Sequence, residues 1–158
     1  ESITHALDDK GCTVFLINRE TNELEVAASF GLSDEYINKG PLSALKSITA
    51  ALKEGPVAIY DVSDDPRMQY PEAAVKEGIA SILVVPITIR DRTIGALRVY
   101  TAEPWEFTLD DVNFVQAMAN MVGMAINMAK YYKGLNKSIE ILKTLRDPKL
   151  LKTGKQAL

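Results

Sequence analysis

The chain has 158 residues, of which 47% are hydrophobic and 25% charged, and its net charge at pH 7 is −3. This composition is typical of one globular domain with a short appendage, and no apolar run is long enough to cross a bilayer. We therefore expect a cytoplasmic protein without membrane insertion. The single cysteine, Cys12, excludes an internal disulfide framework and a multi-cysteine metal site.

Charge is unevenly distributed along the chain. From Lys130 onward eight lysines and arginines stand against two acidic residues, so this segment is basic and the preceding part is acidic. The basic segment contains few aromatic residues, Tyr131 and Tyr132, and we expect no binding to nucleic acid. Because the first residue is Glu1 rather than methionine, we expect the chain to be a piece of a longer protein.

The N-terminal region predicts a helix end followed by a hairpin. Apolar side chains four apart in residues 3–7 indicate the last turn of a truncated helix. Two β-rich runs, residues 12–17 and 24–30, flank a polar loop and predict the hairpin. Strict alternation in the second run predicts one face with Leu24, Val26, Ala28 and Phe30, and an opposite face with Glu25, Ala27 and Ser29.

The middle of the chain predicts crossover helices and an edge strand. Ser33 can cap a short helix over residues 34–38, and apolar spacing predicts a second helix over residues 42–52. Residues 57–60 predict an edge strand, and residues 72–76 predict a helix that ends before Gly78.

A long hairpin forms the centre of the predicted sheet. Residues 82–89 and 94–100 are dense in β-branched side chains and are joined by a polar turn over residues 90–93. Both alternating sets of side chains are largely apolar, so we expect both faces of this hairpin to be covered.

The C-terminal third predicts one long helix. Thr108 and Asp111 form a capping-box variant, Phe107 can pack on Val112 as a hydrophobic staple, and Pro148 forbids continuation. The apolar stripe of this helix is wider than a single contact would need, which suggests that the helix packs both on the sheet and on another helix. We expect residues 149–158 to be linker or disordered.

Four segments together resemble the GAF domain, a small-molecule sensory module of signalling proteins. They are GLSDEYINKGPL, AIYDVSDDPR, GIASILVVPITIRDRTIGALRVYT and FTLDDVNFVQAMANMVGMAI, in that order, and the resemblance covers residues 3 to about 133. It implies an α+β fold of the GAF type, related to PAS and profilin-like folds, with a central antiparallel sheet of five to six strands ordered 2-1-5-4-3. It also implies terminal helices on one face and a ligand pocket, roofed by crossover helices, on the other.

On this basis we predict a sensory domain in residues 1–133, with a truncated N-terminal helix, and a C-terminal helical extension and linker in residues 134–158. In the central hairpin Gly95, Leu97 and Val99 should face the terminal helices, and Ala96, Arg98 and Tyr100 should face the pocket. Arg98 is the strongest ligand candidate, because it is the one charge inside an apolar strand, although a carboxylate on a neighbouring element is favoured over an anionic ligand as the partner of its guanidinium. The ligand-binding candidates are Arg98, Tyr100, Arg67, Tyr70, Ser81, Ser29 and Asp61.

Other residues of the chain suggest three alternative sites. Phe107 and Asp111 match part of the family's cyclic-nucleotide motif, but Val112 departs from it and no Asn-Lys pair lies upstream. We expect no covalent bilin or haem, because Cys12 lies on the first strand and the single histidine, His5, on the N-terminal helix. Carboxylates at Asp61, Asp64 and Asp65 could bind a hard cation, but hydrogen bonds within their own turn are favoured, and we predict no metal site.

The sequence therefore predicts a non-catalytic module that senses an unidentified small organic ligand and forms a homodimer through its terminal helices. Its output domain would lie elsewhere in a longer, bacterial-type signalling protein. The alternatives are a dimerisation scaffold without ligand and a cyclic-nucleotide-binding regulatory domain. Enzymatic activity is disfavoured, because one cysteine cannot supply a resolving thiol. The predicted dimer interface consists of Val115, Val122, Ala129, Leu135, Ile139 and Leu142.

Overall fold

The computed structural model describes residues 10–40, 42–43 and 55–146. In chain order the elements are β1 (Gly11–Ile17), β2 (Glu23–Phe30), α1 (Asp34–Ile37), β3 (Leu42–Ser43), β4 (Val57–Ile59), α2 (Pro71–Lys76), β5 (Ser81–Ile89), β6 (Arg92–Thr101) and α3 (Leu109–Arg146). The predictions for residues 3–7, 44–52 and 149–158 lie outside the described residues. No helix in the described ranges is both long and apolar enough to span a bilayer.

The strands form one antiparallel sheet in the order β3-β2-β1-β6-β5-β4. Without the two-residue β3 this is the five-strand order 2-1-5-4-3, so the predicted α+β fold is confirmed. Leu42 and Ser43 pair with Leu24 and Glu23 of β2, and the prediction that a helix begins at Leu42 is wrong. Helical apolar spacing there is overridden by hydrogen bonding to the open edge of β2.

The β5–β6 hairpin turns more tightly than predicted. Arg90 and Asp91 have φ values of 47° and 59°, the left-handed conformation that a two-residue turn of type I′ requires. Arg92 and Thr93 pair with Ile89 and Thr88 and so belong to the strand rather than to the turn. The twist of such a turn matches that of the flanking strands, which outweighs the cost of placing non-glycine residues at positive φ.

A β-bulge divides β2 into two halves with opposite orientation. Val14 pairs with Ala28, but the next residue, Phe15, pairs with Val26, so Ala27 is the extra residue. Leu24 and Val26 therefore lie on the Phe15 side of the sheet, and Ala28 and Phe30 lie on the Val14 side. The prediction that Leu24, Val26, Ala28 and Phe30 share one face is wrong, because the bulge adds one residue to the alternation.

Two apolar clusters cover the two faces of the central strands. On one face Ile82, Val84 and Ala96 pack with Phe15 and Tyr36. The opposite face packs on α3, and its buried members are Leu83, Val85, Ile87, Leu97, Val99, Val115 and Ala119. The predicted division of β6, with Leu97 and Val99 towards a terminal helix and Ala96 and Arg98 away from it, agrees with this packing.

The first part of α3 is fixed to the sheet by packing and hydrogen bonds. The Thr108 N–H donates to Asp111 Oδ2 at 3.0 Å and the Asp111 N–H donates to Thr108 Oγ1 at 3.2 Å, which is the predicted capping box. Gln116 Nε2 donates to the Pro86 carbonyl at 3.0 Å. At Gly123 an added Cβ would lie 3.0 Å from the Thr88 carbonyl oxygen, so glycine allows close helix–strand contact there.

The chain divides into two compact units, residues 1–123 and 124–158, and α3 contributes to both. In the second unit the described residues form the last part of α3. Exposed apolar side chains recur along this part, namely Met124, Met128, Tyr131, Tyr132, Leu135, Ile139, Ile141, Leu142 and Leu145. The helix continues through Gly134 without interruption.

Candidate functional site

A cavity lies on the face of the sheet opposite α3. Its lining comes from α1, the β4–α2 loop and strands β3 to β6, and consists of Tyr36, Lys39, Leu42, Ile59, Arg67, Met68, Gln69, Tyr70, Ile82, Val84 and Arg98. The space between these side chains, counted with its open mouth, is about 330 Å³, and it has free room for about one water molecule. Three of the predicted ligand residues, Arg98, Arg67 and Tyr70, therefore meet at one cavity.

Arg98 is the innermost charge of this cavity. Its side chain is 5% exposed and its guanidinium carbon lies 5.1 Å from the centre of the Phe15 ring, a cation–π distance. Arg98 pairs with Val84 of β5 on one side and with Thr13 of β1 on the other. The three central strands thus position this cation in the middle of the sheet.

Lys39 brings a second positive charge from the end of α1. Its Nζ donates to the Tyr36 carbonyl at 2.9 Å and lies 3.6 Å from the centre of the Tyr36 ring. Burial and, next, the positive charge of Arg98 lower the pKa of Lys39 to about 8, and the Glu77 carboxylate opposes this effect. The two cations are therefore close enough to repel each other.

Buried hydroxyl groups surround the two cations. Tyr36 is 3% exposed, and its ring meets the ring of Tyr100 edge-on with centroids 6.0 Å apart. Within the described part of the chain, the hydroxyls of Tyr36, Tyr100 and Thr13 have no hydrogen-bond partner of normal geometry. Burial raises the pKa of Tyr36, so its hydroxyl stays protonated and can donate to an acceptor. A buried hydroxyl without a partner is costly, which makes the Tyr36 hydroxyl, which lines the cavity, a candidate for ligand contact.

The mouth of the cavity is formed by the β4–α2 loop. Arg67 forms an ion pair with Asp65, and its Nη2 also donates to the Ala58 carbonyl at 3.1 Å. Gln69 Nε2 donates to the Tyr70 hydroxyl at 3.3 Å. The Arg67 charge is thus neutralised locally.

Four predicted ligand residues do not line the cavity. Asp61 accepts hydrogen bonds from the hydroxyl and the N–H of Ser63, which lower the pKa of its carboxyl, so it stabilises its own turn. Ser81 shares the orientation of Leu83, and its hydroxyl donates to the Tyr60 carbonyl and accepts from the Trp105 N–H. Ser29 is exposed beside Thr13 on β2. Tyr100 is fully buried behind Tyr36.

Glu77 fixes α1, and with it the inner end of the cavity. Its carboxylate accepts hydrogen bonds from the Ser33 N–H at 2.7 Å and the Ser33 hydroxyl at 2.5 Å. Ser33 also caps α1, because its Oγ accepts from the Tyr36 N–H at 3.2 Å, as predicted. Lys10 Nζ lies 3.9 Å from the same carboxylate. Burial alone would raise the pKa of Glu77, but the hydrogen bonds from Ser33 and the charges of Lys10 and Lys39 lower it.

The sequence prediction missed Tyr36 and Lys39. Both lie on or just after a helix of four residues, too short for its apolar periodicity to indicate which side is buried. Ser33 as N-cap gave the position of α1 along the chain. The orientation of α1 depends on the contact between Ser33 and Glu77, which lies 44 residues further along the chain. No local sequence pattern encodes that contact.

The residues weighed for other chemistries have local structural roles. The Asp111 carboxylate, which matched part of the cyclic-nucleotide motif, accepts from Thr108 N and from Trp105 Nε1 at 3.1 Å, and it does not line the cavity. Burial raises the pKa of Cys12, which lowers the fraction of reactive thiolate. In the described ranges no group of three or more His, Cys, Asp and Glu side chains could hold a metal ion.

The residues predicted for a dimer interface fall into two sets. Val115 is fully buried in the cluster on the β5–β6 face and Val122 packs partly against it, so Val115 offers no surface to a second protomer. Ala129, Leu135, Ile139 and Leu142 are exposed. Ala129 and Leu135 also line an apolar groove of the second unit together with Met128, Tyr131 and Tyr132.

Solved structures share this architecture at low sequence identity. A domain of a protein assigned as a two-component sensor histidine kinase from Sinorhizobium meliloti 1021 is 22% identical, with a TM-score of 0.67, covering 83% of this chain and 89% of that one. The GAF domain of a phosphoenolpyruvate-protein phosphotransferase from Coxiella burnetii is 20% identical, with a TM-score of 0.69, covering 84% and 80%. Free methionine-R-sulfoxide reductase from Neisseria meningitidis, in complex with its substrate, is 19% identical, with a TM-score of 0.66, covering 82% and 74%.

A search of curated proteins returned no significant match. The model of the GAF domain family matches residues 1–126, which is most of the chain and includes every residue of the cavity. The chain belongs to the GAF domain family.

Proposed function

We propose that this chain is a non-catalytic sensory module that binds a small organic molecule in the cavity under α1. The observation that supports this most strongly is the position of Arg98 in β6. Arg98 lines the cavity, while its chain neighbours Leu97 and Val99 pack with Val115 and Ala119 of α3. A ligand that moves Arg98 therefore acts on the strand that supports the helix, because only one peptide unit separates Arg98 from each of the residues that pack on α3.

Signal transfer would follow from differential binding. A ligand shifts a conformational equilibrium only by the difference between its affinities for the two states. Here the two states would differ in how β6 supports α3, and occupancy of the cavity would favour one of them. The likeness to a domain assigned to a sensor histidine kinase is consistent with such a role.

We also propose that two copies pair through the last part of α3. The exposed side chains of Met128, Tyr132, Leu135, Ile139 and Leu142 follow alternating spacings of four, three, four and three residues. This is the repeat with which two helices form a coiled coil, and a second copy of the same helix presents the matching surface. The dimer would connect the sensory unit to an output domain elsewhere in a longer protein.

A dimerisation scaffold without ligand is the second candidate. The observation that favours it is the small free space in the cavity, which is enough for about one water molecule. Native mass spectrometry of the purified chain distinguishes the two functions. A dimer that retains a small-molecule mass, lost in Arg98→Gln, supports sensing, and an empty dimer under all conditions supports the scaffold.

Catalysis is not part of the proposal, although one structural neighbour is a free methionine-R-sulfoxide reductase. Cys12 is half-buried on the strand face towards α3, whereas the cavity lies on the other face. A thiol reductase cycle also needs a second thiol to release the enzyme from its oxidised state, and the sequence has one cysteine. Incubation with free methionine sulfoxide and a dithiol reductant should give no methionine above the rate without protein.

A further inference from the structure

We propose that the cavity selects monocarboxylates that bear a short apolar tail and no ammonium group. This inference rests on the proposed function, because it names the ligand class of the same cavity. Among the lining residues that the structure describes, three are cationic, Lys39, Arg67 and Arg98, and none is acidic, although Arg67 is paired with Asp65 and Glu77 acts on Lys39 from outside the lining. The described lining therefore favours an anion and offers no carboxylate to an ammonium group.

The inner end of the cavity offers convergent hydrogen-bond donors. Arg98 presents a planar fork that matches the two oxygens of a carboxylate. Lys39 uses one N–H on the Tyr36 carbonyl and keeps two further N–H groups for a ligand. The Tyr36 hydroxyl is buried, lines the cavity and has no hydrogen-bond partner in the described part of the chain. A carboxylate placed here would accept hydrogen bonds from Lys39 and Tyr36 and would lie beside the positive charge of Arg98.

The remaining walls are apolar and suit a short hydrocarbon tail. Ile82 and Val84 form the floor, and Leu42, Ile59 and Met68 line the sides. The free room in the cavity is enough for about one water molecule, far less than most small-molecule sites offer. The free space must grow on binding, and Met68 is suited to give way because its unbranched side chain adapts its shape easily. These walls favour an amphiphilic anion over inorganic phosphate, which has no apolar part.

A matched series of four probes tests the selectivity by isothermal titration calorimetry. The probes are 4-methylpentanoate, the neutral 4-methylpentanamide, leucine, which is the same carboxylate with an added ammonium group, and 4-methylpentylamine. Because hydrogen bonds to a charged group are stronger than those to a neutral one, 4-methylpentanoate should bind about tenfold or more tightly than the amide. Leucine and 4-methylpentylamine should bind more weakly than 4-methylpentanoate by a similar factor. Equal affinity for the amide or for leucine would overturn the proposal.

Two variants test whether the probes bind in the cavity. They also separate the proposed ligand class from the proposed sensory function on which it rests. Lys39→Gln keeps length and polarity but removes the charge, and it should lower the affinity for 4-methylpentanoate about tenfold. Lys76→Gln removes an exposed lysine paired with Glu35 outside the cavity and should leave the affinity unchanged.

If the amide or leucine binds as well as the carboxylate and Lys39→Gln weakens that binding, the cavity is a ligand site but the carboxylate class is wrong. If no probe binds and native mass spectrometry finds an empty protein, both the class and the sensory function fail. Binding of inorganic phosphate at the affinity of 4-methylpentanoate would show that charge alone is selected, and would also refute the class.

Discussion

Replacing Tyr36 by phenylalanine should stabilise the ligand-free protein while weakening ligand binding. The substitution removes one buried hydroxyl and leaves the ring, with its edge-on contact to Tyr100 at 6.0 Å, in place. In most proteins the loss of a buried tyrosine hydroxyl is destabilising, because a hydrogen bond is lost with it. Here the hydroxyl has no such bond within the described part of the chain, so the sign is reversed.

The magnitude follows from the cost of the unsatisfied group. A buried polar group without a partner costs about 1–3 kcal/mol. The cavity beside Tyr36 has room for about one water molecule, which can recover part of that cost. We therefore expect the free energy of unfolding to rise by about 1 kcal/mol in Tyr36→Phe, which is the lower end of the cost of an unsatisfied polar group. For a domain of this size that corresponds to about 3–5 °C in melting temperature.

Urea denaturation and thermal unfolding of the ligand-free protein measure this effect, with Tyr70→Phe as the matched control. The Tyr70 hydroxyl accepts a hydrogen bond from Gln69, so its removal should lower the free energy of unfolding by about 0.5–1 kcal/mol. Any measurable loss in the free energy of unfolding of Tyr36→Phe would contradict this expectation, because it would mean that the hydroxyl is hydrogen-bonded in the native protein. Calorimetry with 4-methylpentanoate should show weaker binding to Tyr36→Phe than to the native chain.

Three further predictions address charge, capping and assembly. Because the pKa of Lys39 is about 8, the affinity for 4-methylpentanoate should fall as pH rises from 7 to 9, and Lys39→Gln should show a flat profile in calorimetry. Asp111→Ala removes half of the capping box and the bond from the neighbouring indole, so urea denaturation should show a loss of about 1–2 kcal/mol without a change in probe affinity. The double variant Leu135→Glu and Ile139→Glu should be a monomer in sedimentation, whereas the native chain should be a dimer. Asn136→Glu adds a charge beside the proposed pairing residues and should remain a dimer. A native chain that is monomeric at high concentration would contradict the dimer.

Lys39 also makes the stability of the protein depend on pH. Its pKa is lowered on folding from 10.5 to about 8, so between these values the unfolded chain binds more protons than the folded one. The contribution of Lys39 to the free energy of unfolding must then rise as pH increases from about 8 to 10.5, and it should be absent in Lys39→Gln. The charged groups that act on Lys39 are Arg98 from β6, which lowers its pKa, and Glu77 after α2, which raises it.

The sheet could be predicted because its signals are local. Alternating β-branched residues gave β5 and β6, and the Thr108–Asp111 spacing gave the start of α3. The bulge at Ala27 could not be predicted, because it depends on how β2 fits against β1. The two-residue turn at Arg90 and Asp91 was also missed, since these residue types are not the asparagine and glycine that usually indicate it.

The candidate site was predictable only where a residue broke a pattern. Arg98 interrupts an apolar strand, and the structure places this residue in the lining of the cavity. The orientation of Ser81 follows from the sequence, because Ser81 is two residues from Leu83 and must share its face, so alternation alone excludes it from the cavity. Tyr36 and Lys39 are ordinary surface-type residues of a short helix, and their role depends on the long-range contact between Ser33 and Glu77.

We propose that a ligand in the cavity acts on α3 through β6. Hydrogen–deuterium exchange of the protein, measured with and without saturating 4-methylpentanoate, is the direct test of this coupling. We predict slower exchange in β6 and in residues 109–123 of α3, and no such change in Lys39→Gln at the same probe concentration. Binding of the probe with unchanged exchange in both segments would show that the cavity and α3 are not coupled.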